Sequence, residues 1–214
     1  MKNIVLIFLI SLSFESYAQN TGKDLFTTKN IVWYGLNFAE AKMVGLFDQA
    51  AGAGAASPGE IRDKWIPAWN VLIVNEPDHY KIKEAFRKNE VYFDLSPTEK
   101  MNHEIKLDNF VSYNAFNFSD PNKTVQDVVS ALKGGDKNEG IGLVFVVESF
   151  NKTSDEASIY VTVFDIKTKK VLITEKIIGK PAGFGLRNFW GGAIKRILKQ
   201  ISDVNYSYWK SKEK

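Results

Sequence analysis

The sequence predicts an α/β (α+β) fold: a single mixed, mostly antiparallel sheet of about five strands, helices mainly on one face, and a long C-terminal helix. Three observations carry this. "IGLVFVVESF" (141–150) is almost continuously apolar, as a strand covered on both faces is. "ASIYVTVFDI" (157–166) and "KVLITEKIIG" (170–179) are β-rich runs joined at Lys167-Thr168-Lys169, a tight polar turn. Between 186 and 209, Trp190, Ile194, Ile197, Ile201, Val204 and Tyr208 recur at steps of four and three, one apolar stripe of a helix lying on a sheet.

The chain opens on an address. Lys2 precedes an apolar run over 4–14, and Ser16-Tyr17-Ala18 sets small residues at the two key positions of a cleavage site. Residues 1–18 therefore read as a signal peptide cut near Ala18-Gln19. The run is too short for the roughly 20 apolar residues of a spanning helix, and Glu15 closes it. No later stretch approaches that length, so we expect an exported soluble protein, periplasmic or extracellular, without a transmembrane segment.

Residues 19–214 read as one domain. "IVWYGLNF" (31–38) is β-branched and aromatic, a strand; "AEAKMVGLF" (39–47) has helical spacing through Met43, Val44 and Phe47. The Gly/Ala-rich 48–60 has no apolar period and reads as a mobile loop. Ser57-Pro58-Gly59-Glu60 and Ser96-Pro97-Thr98-Glu99 each offer a capping box, and Asp120-Pro121 a third helix start. The first helix shows Ile61, Trp65, Trp69 and Leu72 as a stripe, with Pro67 expected to kink or end it. A helical stretch over about 76–88, a short strand at 91–95, and a helix through Val125, Val128, Val129 and Leu132 follow. Gly134-Gly135 stops the last of these.

Composition removes several chemistries. With no cysteine, disulfides, thiolate catalysis and a lipidated cysteine are excluded, and the fold must stand on its core. A net charge of +3 is too mild for nucleic acid, which needs a dense basic stripe. Six basic residues in the last twenty read as a solvated helix face, with anionic-surface binding the lesser reading. His79 and His103 are the only histidines. Neither sits in zincin spacing, so no metal and no cofactor are expected. Serine catalysis lacks a G-x-S-x-G elbow. A hydrolytic carboxylate pair stays open, with no pair singled out.

The nearest thing to a chemical signature is "GKPAGFGLRNFWGGAIKRI" (179–197). A glycine turn opening a helix can aim amides at an anion. Gly183, Gly185, Arg187 and Asn188 would form that ligand site. The spacing is GxGxxN, however, and the preceding strand belongs to a hairpin. The plainer reading is a hinge, in which Gly183 and Gly185 permit positive φ while Phe184, Phe189 and Trp190 pack inward. For a protein partner, the alternating aromatics of "NFVSYNAFNFSD" (109–120) put forward Phe116 and Phe118, and Trp209 follows the last apolar turn.

Residues 141–209 follow a strand, strand, strand, helix pattern with "VFDIKTKKVL" at the second hairpin. They resemble the C-terminal part of small α/β envelope domains: the N-terminal domain of the Tol translocation protein TolB, curli-secretion lipoproteins, and activators of penicillin-binding proteins. With Ala18-Gln19 at its leader's end, the chain also resembles uncharacterised exported proteins of Bacteroidota. The resemblance implies a partner among envelope proteins. The expected function is thus a non-enzymatic binding or assembly module. The alternatives are a small-ligand or anion-binding protein using 183–188, and a hydrolase.

Overall fold

The structure, a computed structural model, describes residues 20–48 and 54–213. The expected signal peptide (1–18), its cleavage point at Ala18-Gln19, and residues 49–53 of the Gly/Ala loop lie outside the described residues. In chain order the first elements are α1 (Asp24–Thr27), β1 (Asn30–Asn37) and β2 (Lys42–Val44). Helix α2 is continuous but composite: Pro58–Glu60, a π-helical turn Ile61–Trp65, then Ile66–Asn75. Next come α3 (Pro77–Tyr80), α4 (Ile82–Ala85), β3 (Glu90–Phe93), α5 (Ser96–His103), β4 (Val111–Ser112) and α6 (Pro121–Ala131). Strands β5 (Ile141–Asn151), β6 (Glu156–Asp165) and β7 (Val171–Gly179) precede α7, which runs as Gly185–Gln200, a π-helical turn Ile201–Asn205, and Tyr206–Lys212.

The apolar run 141–151 is the central strand. β6 pairs with it antiparallel along its whole length, from Ile141 opposite Asp165 to Asn151 opposite Glu156. One edge of β5 remains, and two strands share it end to end. β1 takes residues 142–146 and β2 takes 149–151, both parallel to β5. β3 then lies parallel to β1, and β4 parallel to β2. On the other side β7 pairs antiparallel with β6.

This corrects the predicted architecture. The sheet has seven strands among the described residues, and the pairings among β1 to β5 are all parallel; only β6 and β7 join antiparallel. The helices do lie mainly on one face, but α6 covers the other. Ile141, Leu143, Phe145 and Val147 pack with α2 and α7 in one core, while Val144 and Val146 pack with Val125, Val128 and Val129 of α6 in a second. A strand buried on both faces is what continuous hydrophobicity demands. That pattern says nothing about the direction of its neighbours.

The helix predicted over 39–47 is also corrected, since its middle is β2. Met43 and Val44 are both buried, and adjacent buried residues suit a two-faced strand as well as a helix. The unpaired end of β5 decides between them. No helix among the described residues is long and apolar enough to cross a membrane.

Two helices shift their buried face at a π turn, and the same physics acts in each. In α2 the expected stripe passes from Ile61 to Trp65, but the fully buried residue is Ile66, whose N–H donates to the Ile61 carbonyl five residues back. Widening the turn adds one residue to the repeat. Pro67, expected to kink or end this helix, instead sits second in the α-helical stretch after the widened turn, and the helix runs on to Asn75. In α7 the Tyr206 N–H reaches Ile201 in the same way. Within the turn Val204 is 63% exposed and beyond it Tyr208 is 52% exposed, while Tyr206 and Trp209 turn inward.

Caps divide similarly. Ser57 and Glu60 form the reciprocal capping box, and Asp120 accepts from the Lys123 N–H. Ser96 does not cap α5: that helix begins one residue earlier than expected, and Ser96 Oγ donates to Asp94 instead. The stretch 76–88 is broken in two at Lys81, whose φ is 44°.

Lys88 ties the turn before β3 to the start of the fold. Its buried Nζ donates to the carbonyls of Leu25 and Thr28, the latter at 3.0 Å. Burial pushes the ammonium down from the ordinary 10.5 to about 8. Between those values the unfolded chain holds a proton that the folded chain has released, so stability rises with pH across that window. Denaturant titrations from pH 8 to 10.5 are expected to show wild type gaining on Lys88→Met. Parallel curves contradict the assignment. The π-turn shift is checked the same way: Trp209→Ala costs about 3–5 kcal/mol, and Tyr208→Ala no more than about 0.5 kcal/mol.

Candidate functional site

The candidate site lies where the β1–β2 lane is broken. Asn37 stands opposite Val146 and Lys42 opposite Ser149, so residues 38–41 leave the sheet beside 147–148 of β5. At the same level β5 bulges against β6, with Glu148 as the extra residue between the Val147 and Ser149 pairings. A second bulge within β1, between Trp33 and Leu36, is made possible by Gly35 at φ 93°. It restores Leu36 to the core face that Trp33 occupies.

A strand that stops inside a protein leaves amides and carbonyls without ladder partners, at about 1–3 kcal/mol each when buried. Asparagines serve the end of β1, both where it runs past its last pairing with β3, Trp33 opposite Phe93, and where it leaves β5. Asn70 of α2 accepts from the Leu36 N–H at 2.7 Å and donates to the Leu36 carbonyl at 3.1 Å. Asn102 of α5 donates to that same carbonyl at 2.9 Å and accepts from the Phe38 N–H at 2.7 Å. Asn37 accepts from the Ala39 N–H and points its amide at the Met101 sulfur. All three are buried.

On the opposite face of β5 the Glu148 carboxylate, fully buried, accepts from the Phe118 N–H at 2.9 Å and from Ser158 at 2.8 Å. Lys176 pairs with it at 2.5 Å and also donates to Asn117. The segment before α6 is thereby fastened to the sheet. Phe118 stacks on Tyr160 with ring centroids 5.7 Å apart, and Phe116 stands edge-on to Phe118. Burial and the nearby Glu148 raise the Tyr160 phenol above its ordinary value.

Around the break opens a cleft of about 730 Å³. Residues 39–42, just past the carboxyl end of β1, form one wall; the end of α5, Ile105, Phe110 and Phe116 form the others. Open α/β sheets take ligands beyond the carboxyl ends of their parallel strands. Lys42, Lys100, Lys106 and Lys133 line it together with Glu40, Glu104 and Asp108. Lys42 also lies over the Phe116 ring, 5.9 Å from its centroid, and donates to the Asn109 carbonyl.

The residues put forward for a partner separate here. Phe116 reaches the cleft. Phe118 is 8% and Trp209 5% exposed, so neither offers a surface, against expectation. Trp209 is turned inward by the π turn, stacks with Phe86, and donates its indole N–H to Glu175. Nothing periodic in the sequence marks the break, because isolated asparagines carry no periodicity. Gly35 inside an otherwise β-branched run was the one available mark of a bulge.

The glycine-rich turn forms a second place. Gly183, Arg187 and Asn188 line a cleft of about 660 Å³ between α3 and α7, with Lys195, Arg196 and Lys199 on the same helix. Gly185, at φ 74°, lies outside this cleft and beside a smaller hollow with Asp48 and Lys152. The glycines chiefly allow close passage. The Ala182 N–H donates to the Phe189 carbonyl at 3.0 Å, a Cβ on Gly192 would overlap the Ala182 carbonyl, and one on Gly191 would overlap the Tyr80 hydroxyl. Phe184, expected to pack inward, is instead 87% exposed.

Among the described residues no group of three or more histidines or carboxylates stands where it could hold a metal. His103 lies 3.9 Å from Asp63, and His79 3.4 Å from the Lys195 ammonium.

Asn70→Ala, which strands the Leu36 amide and loosens its carbonyl, is expected to cost about 1–3 kcal/mol in denaturant titration and to speed hydrogen exchange at Leu36. An unchanged Leu36 exchange rate contradicts the clamp. A scan against protein-family models, a search of curated proteins and a search of solved structures each return no match to this chain.

Proposed function

We propose that this chain is an exported binding module of the bacterial cell envelope, seating a segment of another envelope protein in the cleft at the β1–β2 break. The observation that carries the reading is the composition of that cleft: two aromatic rings, the buried Phe110 and the half-buried Phe116, among four lysines and three carboxylates. A polyanion calls for one sign of charge. A peptide of mixed charge calls for both, around an apolar anchor. The walls are held by buried side chains, Asn37 and Asn102 on one side and Glu148 beneath the Phe116–Phe118 segment, and rigid support favours binding without an ordering cost. Export rests on Lys2, the apolar 4–14 run and Ser16-Tyr17-Ala18.

The test is site-specific photo-crosslinking in envelope preparations. A crosslinker in place of Phe116 is expected to capture one defined protein, and one in place of the exposed Tyr208, outside the cleft, is not. Phe116→Ala then weakens binding of the captured protein about tenfold or more. Equal affinity of wild type and Phe116→Ala overturns the cleft as the seat.

A further inference from the structure

Phe184 is the most exposed large apolar side chain among the described residues, at 87%. It stands in the β7–α7 turn between Gly183 and Gly185, at φ 128° and 74°. The turn is not loose. Ala182 is hydrogen-bonded to Phe189, and Gly183 and Gly192 let residues 182–183 lie directly against α7. The chain therefore holds a benzyl group out into solvent on a fixed support, where it contributes nothing to the core.

Its surroundings are cationic. The cleft on one side of Phe184 is lined by Arg187, Lys195, Arg196 and Lys199 against a single carboxylate, Glu76. Lys199 also pairs with Asp203, whereas Arg187 donates only to the neutral Asn188 side chain and Lys195 meets His79, so Arg187, Lys195 and Arg196 are the cations of this cleft outside any ion pair with a carboxylate. In the hollow on the other side stand Lys152, which lies over the Phe189 ring and pairs with Asp155, and Asp48. A projecting aromatic ring beside a group of unneutralised cations matches one surface chemistry above others. That surface has apolar depth for the ring and phosphate charge at the level of the cations.

We propose that the Phe184 turn is a docking point for an anionic lipid surface, the ring entering the acyl boundary and Arg187, Lys195 and Arg196 meeting lipid phosphates. The association is peripheral and reversible: one ring and a few charges fall far short of a spanning segment. It also leaves the cleft at the β1–β2 break to its own ligand, since the two share no lining residue.

The experiment is co-sedimentation of the purified protein with vesicles of phosphatidylcholine alone and of phosphatidylcholine mixed with phosphatidylglycerol, beside a thermal melt in inorganic phosphate. Wild type is expected to sediment with the mixed vesicles only, less so as salt rises. Phe184→Ala, a surface change whose melt in buffer stays as wild type, lowers the partition roughly tenfold or more. Arg196→Ala lowers it about fivefold. Three results overturn the proposal. Wild type and Phe184→Ala partition equally, which leaves only diffuse charge attraction. Phosphate stabilises wild type but not Arg187→Ala while no vesicle binds, which makes the cleft a site for a free anion. Or neither phosphate nor vesicles have any effect, which leaves the turn a hinge.

Discussion

The structure depends on a strand that is interrupted where its neighbour is not. β5 runs unbroken through the centre, while the lane beside it is made of two pieces, β1 and β2, separated by four residues. Backbone groups at that gap, and those of β1 beyond the end of β3, face the interior and cannot turn to water. Carboxamides answer this because each carries a donor and an acceptor. Asn70 and Asn102 come from two different helices, so the same bonds that satisfy Leu36 and Phe38 also fix where α2 and α5 sit. The cleft is the space those helices leave past the end of β1. Its position follows from hydrogen-bond satisfaction rather than from packing alone.

A second constraint recurs on the helices. Both long ones pack on the core, and both contain a π turn where a buried residue is followed by the next one five places on. In α7 the change moves Trp209 from the wet side to a bond with Glu175 of β7. Asn205, within the π turn, holds the other oxygen of that carboxylate at 3.1 Å. The widened turn and the edge strand are therefore coupled through one side chain. Gln200, one turn earlier, donates to the Ile178 carbonyl. Together these contacts shelter an edge strand that would otherwise present open pairing groups.

What could be read from the residues was what is local. The three late strands lie within a residue or two of where their apolar runs put them. The Ser57 and Asp120 caps sit where their side-chain chemistry places them. Strand direction was not legible: β5 looks the same in sequence whether its neighbour is parallel or antiparallel, and the pairing of Val32 with Gly142 lies far outside any window of periodicity. The 39–47 stretch failed for a related reason, since a three-residue strand has too few residues to show a period of two. Trp209 failed because a strict alternation of three and four cannot register an added residue. At the site, Phe116 was legible as an aromatic among polar residues. Asn37, Asn70 and Asn102 were not, because what they satisfy is created only when distant segments meet.

The shared edge of β5 bears on how the molecule comes into being. β1 and β2 lie far ahead of β5 in the chain, and among the described residues the four-residue β3 is the only other strand that β1 pairs with. Both pieces of the early lane wait for one late segment to supply their longer ladder, and loop closure over such a span is slow. The first half of the polypeptide thus draws most of its strand pairing from the final third, and losing β5 would strip both early strands of their central neighbour at once.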